Sequence, residues 1–385
     1  MKLIPLHAPE FNKQDQNMVS HCIKSGWVTN KGKFLTTFKN KLSEILNNQN
    51  ISLTINGTSA LHIALKVAGI KPQEEVLVPT LTFISTVNSI IYCNAKPVFL
   101  DSDDTLSLCP SKLKNFLEQE TFVKKGVTFN KKTKQKISAL IAVSLFGSCV
   151  DIKAIKRVTK GRGIKIIEDI SESLGTFYTK DYFKNNHIGT QSEFSCLSFN
   201  GNKIITSAGG GAIITKSKSD ILKCKYLCNQ AKDKFIYSKH DDIGFNYGLS
   251  NLHASLGVSQ LSKLNVYLAK KKYIHKNYKK LLNNNRDIEI FTPPTICKSN
   301  YWLNLLIFKN LSKDRLNNLT KRLLKEGYET RTIWRLNHTQ KPFLKYQSYK
   351  IKNAHKIVNS HLCIPSSPGL SFSEQKKLID KINNL

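Results

Sequence analysis

The chain is poor in acid. Of its 385 residues only 27 are Asp or Glu, against 59 Lys or Arg, a formal net charge of +32. That imbalance raises three partner classes: nucleic acid, an acidic membrane surface and an anionic small substrate. The lysines are spread along the chain rather than clustered, which equally fits a solvated basic surface with no partner. Long apolar runs are also missing. None approaches the roughly 20 residues that a bilayer span requires, and MKLIPLHAPEF lacks the apolar core of a secretory leader. These absences predict a cytoplasmic protein without membrane contact. The nine cysteines have no spacing rhythm, which fits reduced thiols. Only Cys224 and Cys228 are close, and no second ligand pair follows, so a helix face is expected there and no metal site. There is no helix-turn-helix, no RNP-like segment and no basic stripe interleaved with aromatics. A basic nucleic-acid-binding or regulatory protein is therefore only a remote alternative. With 40% hydrophobic and 22% charged residues, the composition is that of a globular protein with a full core.

From about residue 50 to 215, strand and helix patterns alternate. ISLTI reads as a strand, NGTSA as a break, and LHIALKVAGI as a helix stopping near Gly69. EEVLVPT, KPVFLDSD, ISALIAVSLFG and GIKIIED follow as strands. They are separated by the helices TFISTVNSIIYCNA, SKLKNFLEQE and VDIKAIKRVTKGRG, with Gly161 and Gly163 as stop signals. Two of these strands are apolar enough to be buried on both faces. The rhythm predicts an α/β fold with a mostly parallel sheet between helices. Beyond Gly175, FSCLSFNGNK and GGGAIIT read as short strands around a glycine-rich turn, and 250–282 as one long helix. From about 285 the pattern predicts a small α+β unit. The expected division is a large domain over 1–260, including an N-terminal arm and a basic hairpin or loop at 121–136, and a small domain over 261–385.

In an open parallel sheet, ligands bind beyond the carboxyl ends of the strands. After ISLTI, the turn Asn56-Gly57-Thr58-Ser59 opens a helix and offers backbone N–H groups and two hydroxyls to an anion. A plain N-cap by Thr58 or Ser59 fits the same residues. Asp169 ends GIKIIED, where a carboxylate facing a cleft must be paired or solvated. It suits a protonated ring nitrogen, or a simple capping role. Lys203 stands between a short strand and a glycine-rich segment. An interior lysine there readily attacks a carbonyl, although it is one lysine among many. Together, a phosphate cradle, a strand-end Asp and a downstream Lys are the parts that hold pyridoxal phosphate (PLP).

The blocks SGWVTNKGKF, NGTSALHIAL, VPTLTFISTVNSI, KPVFLDSD, LFGSCVDI, IIEDISESLG, SFNGNKIITSAGGG, GFNYGLSNLHASLGVSQL, SNYWLN and TRTIWRLNH run through nearly the whole chain. In this order they resemble the DegT/DnrJ/EryC1/StrS nucleotide-sugar aminotransferases, PLP enzymes of fold type I. SFNGNKIIT and the insertion at 121–136 look most like the LegC-type branch. The resemblance implies that Lys203 is the Schiff-base lysine and general acid/base, and that Asp169 pairs with the pyridine nitrogen. It implies that Thr58, Ser59 and Ser198 hold the phosphate, that Phe83 stacks on the ring and that Glu172 lies near its hydroxyl. Asn246 would reach the phosphate from the partner subunit of a homodimer with shared sites. Trp27, Thr29, Asn200, Tyr301, Trp302, Arg331 and His338 would form the nucleotide-sugar site.

The implied activity is amination of a nucleotide-linked 4-keto-6-deoxy sugar, a UDP-2-acetamido-2,6-dideoxy-hexos-4-ulose, with L-glutamate as donor and 2-oxoglutarate as product. Such a sugar serves surface polysaccharide or nonulosonic acid synthesis. The alternatives are a GDP-perosamine-type or C3-aminating enzyme. Sugar dehydrases carry histidine at the lysine position, so Lys203 argues against that branch. The chain departs from the family pattern at Gly248, where arginine is usual, at Gly209, where an acid is usual, and at Ser144, where histidine is common.

Overall fold

Runs of Ile, Val, Leu and Ala without a polar face become the middle of a sheet, because only there are both faces dry. The computed structural model describes residues 3–232 and 239–383. The main sheet is built from β1 (Ile51–Thr54), β2 (Glu75–Pro79), β3 (Lys96–Leu100), β4 (Thr121–Lys124), β5 (Val127–Asn130), β6 (Lys136–Val143) and β7 (Lys165–Asp169). After the short β8 (Phe177–Tyr178), β9 (Phe194–Ser198) and β10 (Gly211–Thr215) complete it. The order is β1-β10-β9-β7-β6-β2-β3. The four central junctions, from β9 to β3, are parallel, whereas β1 and β10 add an antiparallel edge. β6 and β7 are buried over nearly their whole length, as their composition predicts. The basic insertion is the hairpin β4–β5, which joins the start of β6 antiparallel.

A second, antiparallel sheet of order β11-β13-β15-β14 comprises β11 (Ile288–Ile290), β13 (Asn304–Phe308), β14 (Arg331–Thr332) and β15 (His361–Ile364). The short β12 (Cys297–Lys298) instead pairs with β8. Its own apolar cluster includes Tyr278, Leu306, Leu319 and Leu378. The long helix expected over 250–282 is two helices, Asn251–Ser262 and Leu264–Leu281, broken at Lys263. There the ammonium of Lys263 pairs at 2.5 Å with the buried Asp15, and Gln260 donates to the same carboxylate. Cys224 and Cys228 are both buried on the helix Lys218–Cys228.

Two buried asparagines bind the later part of the chain to the ends of the parallel strands. The Asn337 amide donates to the carbonyls of Thr80 and Thr82, just after β2. The Asn300 amide donates to the carbonyls of Glu172 and Leu174, after β7. Each clip satisfies carbonyls that have left the sheet ladder, and together they bring Trp302, Arg331 and Trp334 over the strand ends.

Candidate active site

A cavity of about 480 Å³ opens at the carboxyl ends of β2, β6, β7 and β9. Its first wall is the turn after β1. Asn56 is extended (φ −164°, ψ 171°), and its side chain accepts from the Ser59 N–H at 2.7 Å. The helix Gly57–Val67 is thus capped by Asn56 rather than by Thr58 or Ser59, and the Thr58 hydroxyl stays available to the cavity. A Cβ on Gly57 would lie 2.9 Å from Cβ of Ser198. Glycine therefore lets the helix N-terminus approach β9 closely enough for Thr58 and Ser198 to line one pocket. A helix N-terminus with hydroxyls beside it favours an anion.

Across the cavity, Asp169 ends β7 with both carboxylate oxygens engaged. One accepts from the Thr86 hydroxyl at 2.8 Å, the other from the Ser171 N–H at 3.1 Å and hydroxyl at 2.6 Å. These bonds fix the carboxylate at the cavity edge. Glu172 accepts from the Phe146 N–H at 2.8 Å and faces Lys203 Nζ at 3.3 Å. Burial pushes its carboxyl above the usual range, with the nearby Asp169 adding to the effect, while Lys203 and the Phe146 N–H oppose it. Lys203 Nζ also stands 4.4 Å from the Trp302 ring centroid, a cation–π distance. The Trp302 indole N–H is held by the Asn202 carbonyl at 2.7 Å. Phe146 stacks on Trp334 at 5.3 Å and 11°. Trp334 meets the edge of Phe83 and lies under the guanidinium of Arg331.

Of the residues singled out in the sequence, the cavity gathers Thr58, Phe83, Asp169, Glu172, Ser198, Asn200, Lys203, Trp302 and Arg331. Ser59 is buried one position along and does not line it. Trp27, Thr29 and Asn246 are exposed and lie outside its lining. Tyr301 stacks instead on His275 at 4.3 Å, and His338 bonds Thr80 through Nδ1 at 2.7 Å. Burial and the neighbouring His355 hold His338 below its ordinary range, against the pull of Asp101. Residue-by-residue reading missed Asn56, Thr86, Ser171 and Trp334. Of these, Ser171 had a sequence signal, standing two residues after a strand-end Asp.

The departures acquire a physical setting. A Cβ at Gly248 would lie 3.0 Å from Oδ1 of Asn229, where an Asn30–Asn229 hydrogen bond fills the space an arginine would need. A Cβ at Gly209 would make ordinary contact with His253 at 3.5 Å. The Ser144 hydroxyl is buried without a partner in the cavity wall.

The DegT/DnrJ/EryC1/StrS aminotransferase family profile matches residues 9–383. The chain belongs to this family. It is 32% identical over 390 residues to the putative pyridoxal phosphate-dependent aminotransferase EpsN of Bacillus subtilis, covering 100% of this chain and 96% of that protein. It is 31% identical over 384 residues to the GDP-perosamine synthase of Escherichia coli O157:H7, covering 100% and 98%. The fold matches that of Helicobacter pylori PseC, an aminotransferase involved in the biosynthesis of pseudoaminic acid. The TM-score is 0.88 at 20% identity, over 100% of this chain and 99% of that one. The PLP form of the putative sugar aminotransferase Spr1654 from Streptococcus pneumoniae matches with the same score.

The protein is a PLP-dependent aminotransferase of fold type I, and its cavity fits the cofactor. An anion-accepting helix end, an oriented carboxylate and an amine meet in one space, as a phosphate, a ring N–H and an aldehyde carbon require. Ser144 Oγ and Trp334 Nε1, on residues of the same wall, are buried without hydrogen-bond partners.

Proposed function

We propose that the chain aminates C4 of a UDP-linked 2-acetamido-4-keto-2,6-dideoxy sugar, with L-glutamate as donor, in the cytoplasm. The convergence of Thr58, Ser198, Asp169 and Lys203 on one cavity supports the amine-transfer chemistry, and the resemblance of SFNGNKIIT and the insertion at 121–136 to the LegC-type branch supports the UDP-linked sugar. Bound PLP supplies an electron sink for the carbon that loses its proton. Asp169, held by Thr86 and Ser171, pairs with the ring nitrogen, and Thr58 and Ser198 bind the phosphate together with the helix N–H groups. Phe83 would pack on the ring, and Glu172, 3.3 Å from Lys203 Nζ, orients that amine. Lys203 Nζ moves the proton from the donor's α-carbon and later returns one to the sugar's C4. Asn200, Trp302 and Arg331 contact the substrate.

The chain acts as a homodimer in this reading. Ile23, Trp27 and Tyr92 are exposed large apolar side chains of the kind a second copy covers. The partner's Asn246 then reaches the phosphate, and Trp27, Thr29, Tyr301 and His338 complete the rim. The large and small domains divide near residue 260.

A second reading has support of its own. Curated relatives at 31% and 30% identity are GDP-perosamine synthases, which favours a GDP-linked 4-keto sugar. A panel of UDP-, GDP- and dTDP-4-keto sugars assayed with glutamate decides between the two. Turnover of UDP sugars is expected, and turnover of GDP sugars alone would replace the first reading with the second.

A further inference from the structure

Among the described residues, Lys271 is the one lysine that is fully buried. It stands in the helix Leu264–Leu281. A buried ammonium is costly unless a carboxylate meets it, yet no ion pair of Lys271 occurs among the described residues. Burial pulls its pKa well below the usual lysine range. Glu10 opposes that pull from a distance while pairing with the neighbouring Lys270 at 2.7 Å. Lys271 Nζ donates instead to two main-chain carbonyls, that of Trp302 at 2.8 Å and that of Ser366. One lies just before β13 and the other just after β15, so a single amine ties the same end of two paired strands.

Trp302 is also the residue whose ring stands 4.4 Å from Lys203 Nζ. Each of its polar groups is held. The indole N–H donates to the Asn202 carbonyl, the main-chain N–H donates to Asn300 Oδ1 at 2.8 Å, and the carbonyl accepts from Lys271. Asn300 is two residues away and Asn202 is the neighbour of Lys203, so only Lys271 ties Trp302 to a separate helix. The chain reaches Trp302 through Tyr301, whose backbone is left-handed (φ 50°). A non-glycine residue stays there only where its surroundings enforce it. The His7 ring lies 6.4 Å from that of Trp302, with both nitrogens buried and without hydrogen-bond partners. Burial, Lys271 and Lys203 hold its pKa well below the ordinary range, so it brings no charge to the cluster.

We propose that Lys271 is a positioning residue for Lys203, acting through Trp302. By holding the Trp302 carbonyl it keeps the indole ring against the Lys203 amine, while Glu172 meets that amine at 3.3 Å. An amine on a long, flexible side chain reaches its target more readily when its neighbours are fixed. This rests on the reading of Lys203 as the reactive lysine. The ring also favours the charged form of the amine. Without Lys271 the ring is free to leave, and the amine loses its proton more easily. Loss of a nearby like charge, with nothing moved, would have the opposite effect.

The test is competitive labelling of the full chain with acetic anhydride across the alkaline range, after removal of PLP. Mass spectrometry of the Lys203 peptide gives the pH of half-labelling at that residue. In Lys271→Met this midpoint should fall by about one unit, the scale of a desolvated cation–π contact. Lys271→Arg, which keeps donors for both carbonyls, should restore it. In a Trp302→Leu background, where the ring is already gone, Lys271→Met should move it no further. A merely structural lysine would change the melting temperature and leave the Lys203 midpoint in place. An unchanged or raised midpoint, or an equal fall in the Trp302→Leu background, overturns the proposal. If Lys271→Met does not fold, Lys271→Gln, uncharged and too short to bridge both carbonyls, takes its place with the same expected fall. Failure of the underlying reading is separately visible: a Lys203→Ala protein that still turns over glutamate removes Lys203 from the chemistry, whatever the labelling midpoints.

Discussion

Replacing Asp169 by asparagine separates its chemical role from its structural one. The amide keeps an oxygen for the Ser171 N–H and hydroxyl, now at 3.1 and 2.6 Å. Its nitrogen then faces the Thr86 hydroxyl, which also lies 2.9 Å from the Thr82 hydroxyl and can turn to donate there. The local network therefore survives, and the melting temperature of the cofactor-free protein should barely move. What disappears is the negative acceptor for a ring N–H, a charge-assisted bond of about 1.5–3 kcal/mol. At about 1.4 kcal/mol per factor of ten, PLP affinity should fall roughly 10- to 100-fold. Fluorescence titration of the cofactor-free variant measures this, and absorbance changes with glutamate report the half-reaction. Asp169→Ala is the contrast: it strands the Thr86 and Ser171 donors and should lower stability by a further ~1–3 kcal/mol. An Asp169→Asn protein that binds PLP and reacts with glutamate like the wild type would show the carboxylate to be only a cap.

Two further outcomes follow from single contacts. Gly57→Ala places a methyl 2.9 Å from Cβ of Ser198, so it should cost about 1–3 kcal/mol in urea unfolding and weaken PLP binding together; a neutral substitution would mean that the helix end is free to retreat. His187 is buried neutral, accepting from the Gly175 N–H at 2.8 Å while its other ring nitrogen meets the Ile188 carbonyl, and burial lowers its pKa to about 4. Its stabilising effect is complete above the unfolded value near 6.5 and is lost as pH falls toward 4, by about 3 kcal/mol at ~1.36 kcal/mol per unit. Unfolding free energies of wild type and His187→Asn across that range should show the slope flattened in the variant, and equal slopes would refute the assignment.

The parts of the site that are legible in the sequence are those fixed by the sheet itself. Thr58 and Asp169 stand at strand ends that the sequence pattern announces, whereas Phe83 and Ser198 were legible only through the family resemblance; the topology brings these strand ends together. Lys203 is legible only in company, because one lysine in a lysine-rich chain carries no signal. Thr86 was invisible for another reason: it reaches Asp169 from a helix after a different strand, through a side-chain contact that periodicity does not encode. Trp334 belongs to a segment with only two paired strand residues, Arg331 and Thr332, and is placed by Asn337 rather than by its own pattern. The break at Lys263 is of the same kind. There Lys263 pairs with Asp15 of the helix Lys13–Lys24, a contact remote in sequence that no local pattern encodes.

The Asn300 and Asn337 clips have a consequence for exchanging parts between relatives. Each clip grips main-chain carbonyls, which every sequence possesses, so the acceptor side of the joint is indifferent to side-chain identity. A C-terminal segment from another member would keep these two contacts if it brought the asparagines, but the rest of the joint reads side chains: the Asp101 carboxylate accepts from the N–H groups of Lys352, Asn353 and Ala354, and Asn130 donates to Gln347. Exchange of this segment between relatives is therefore limited less by the clips than by the few polar side chains of the sheet that meet it.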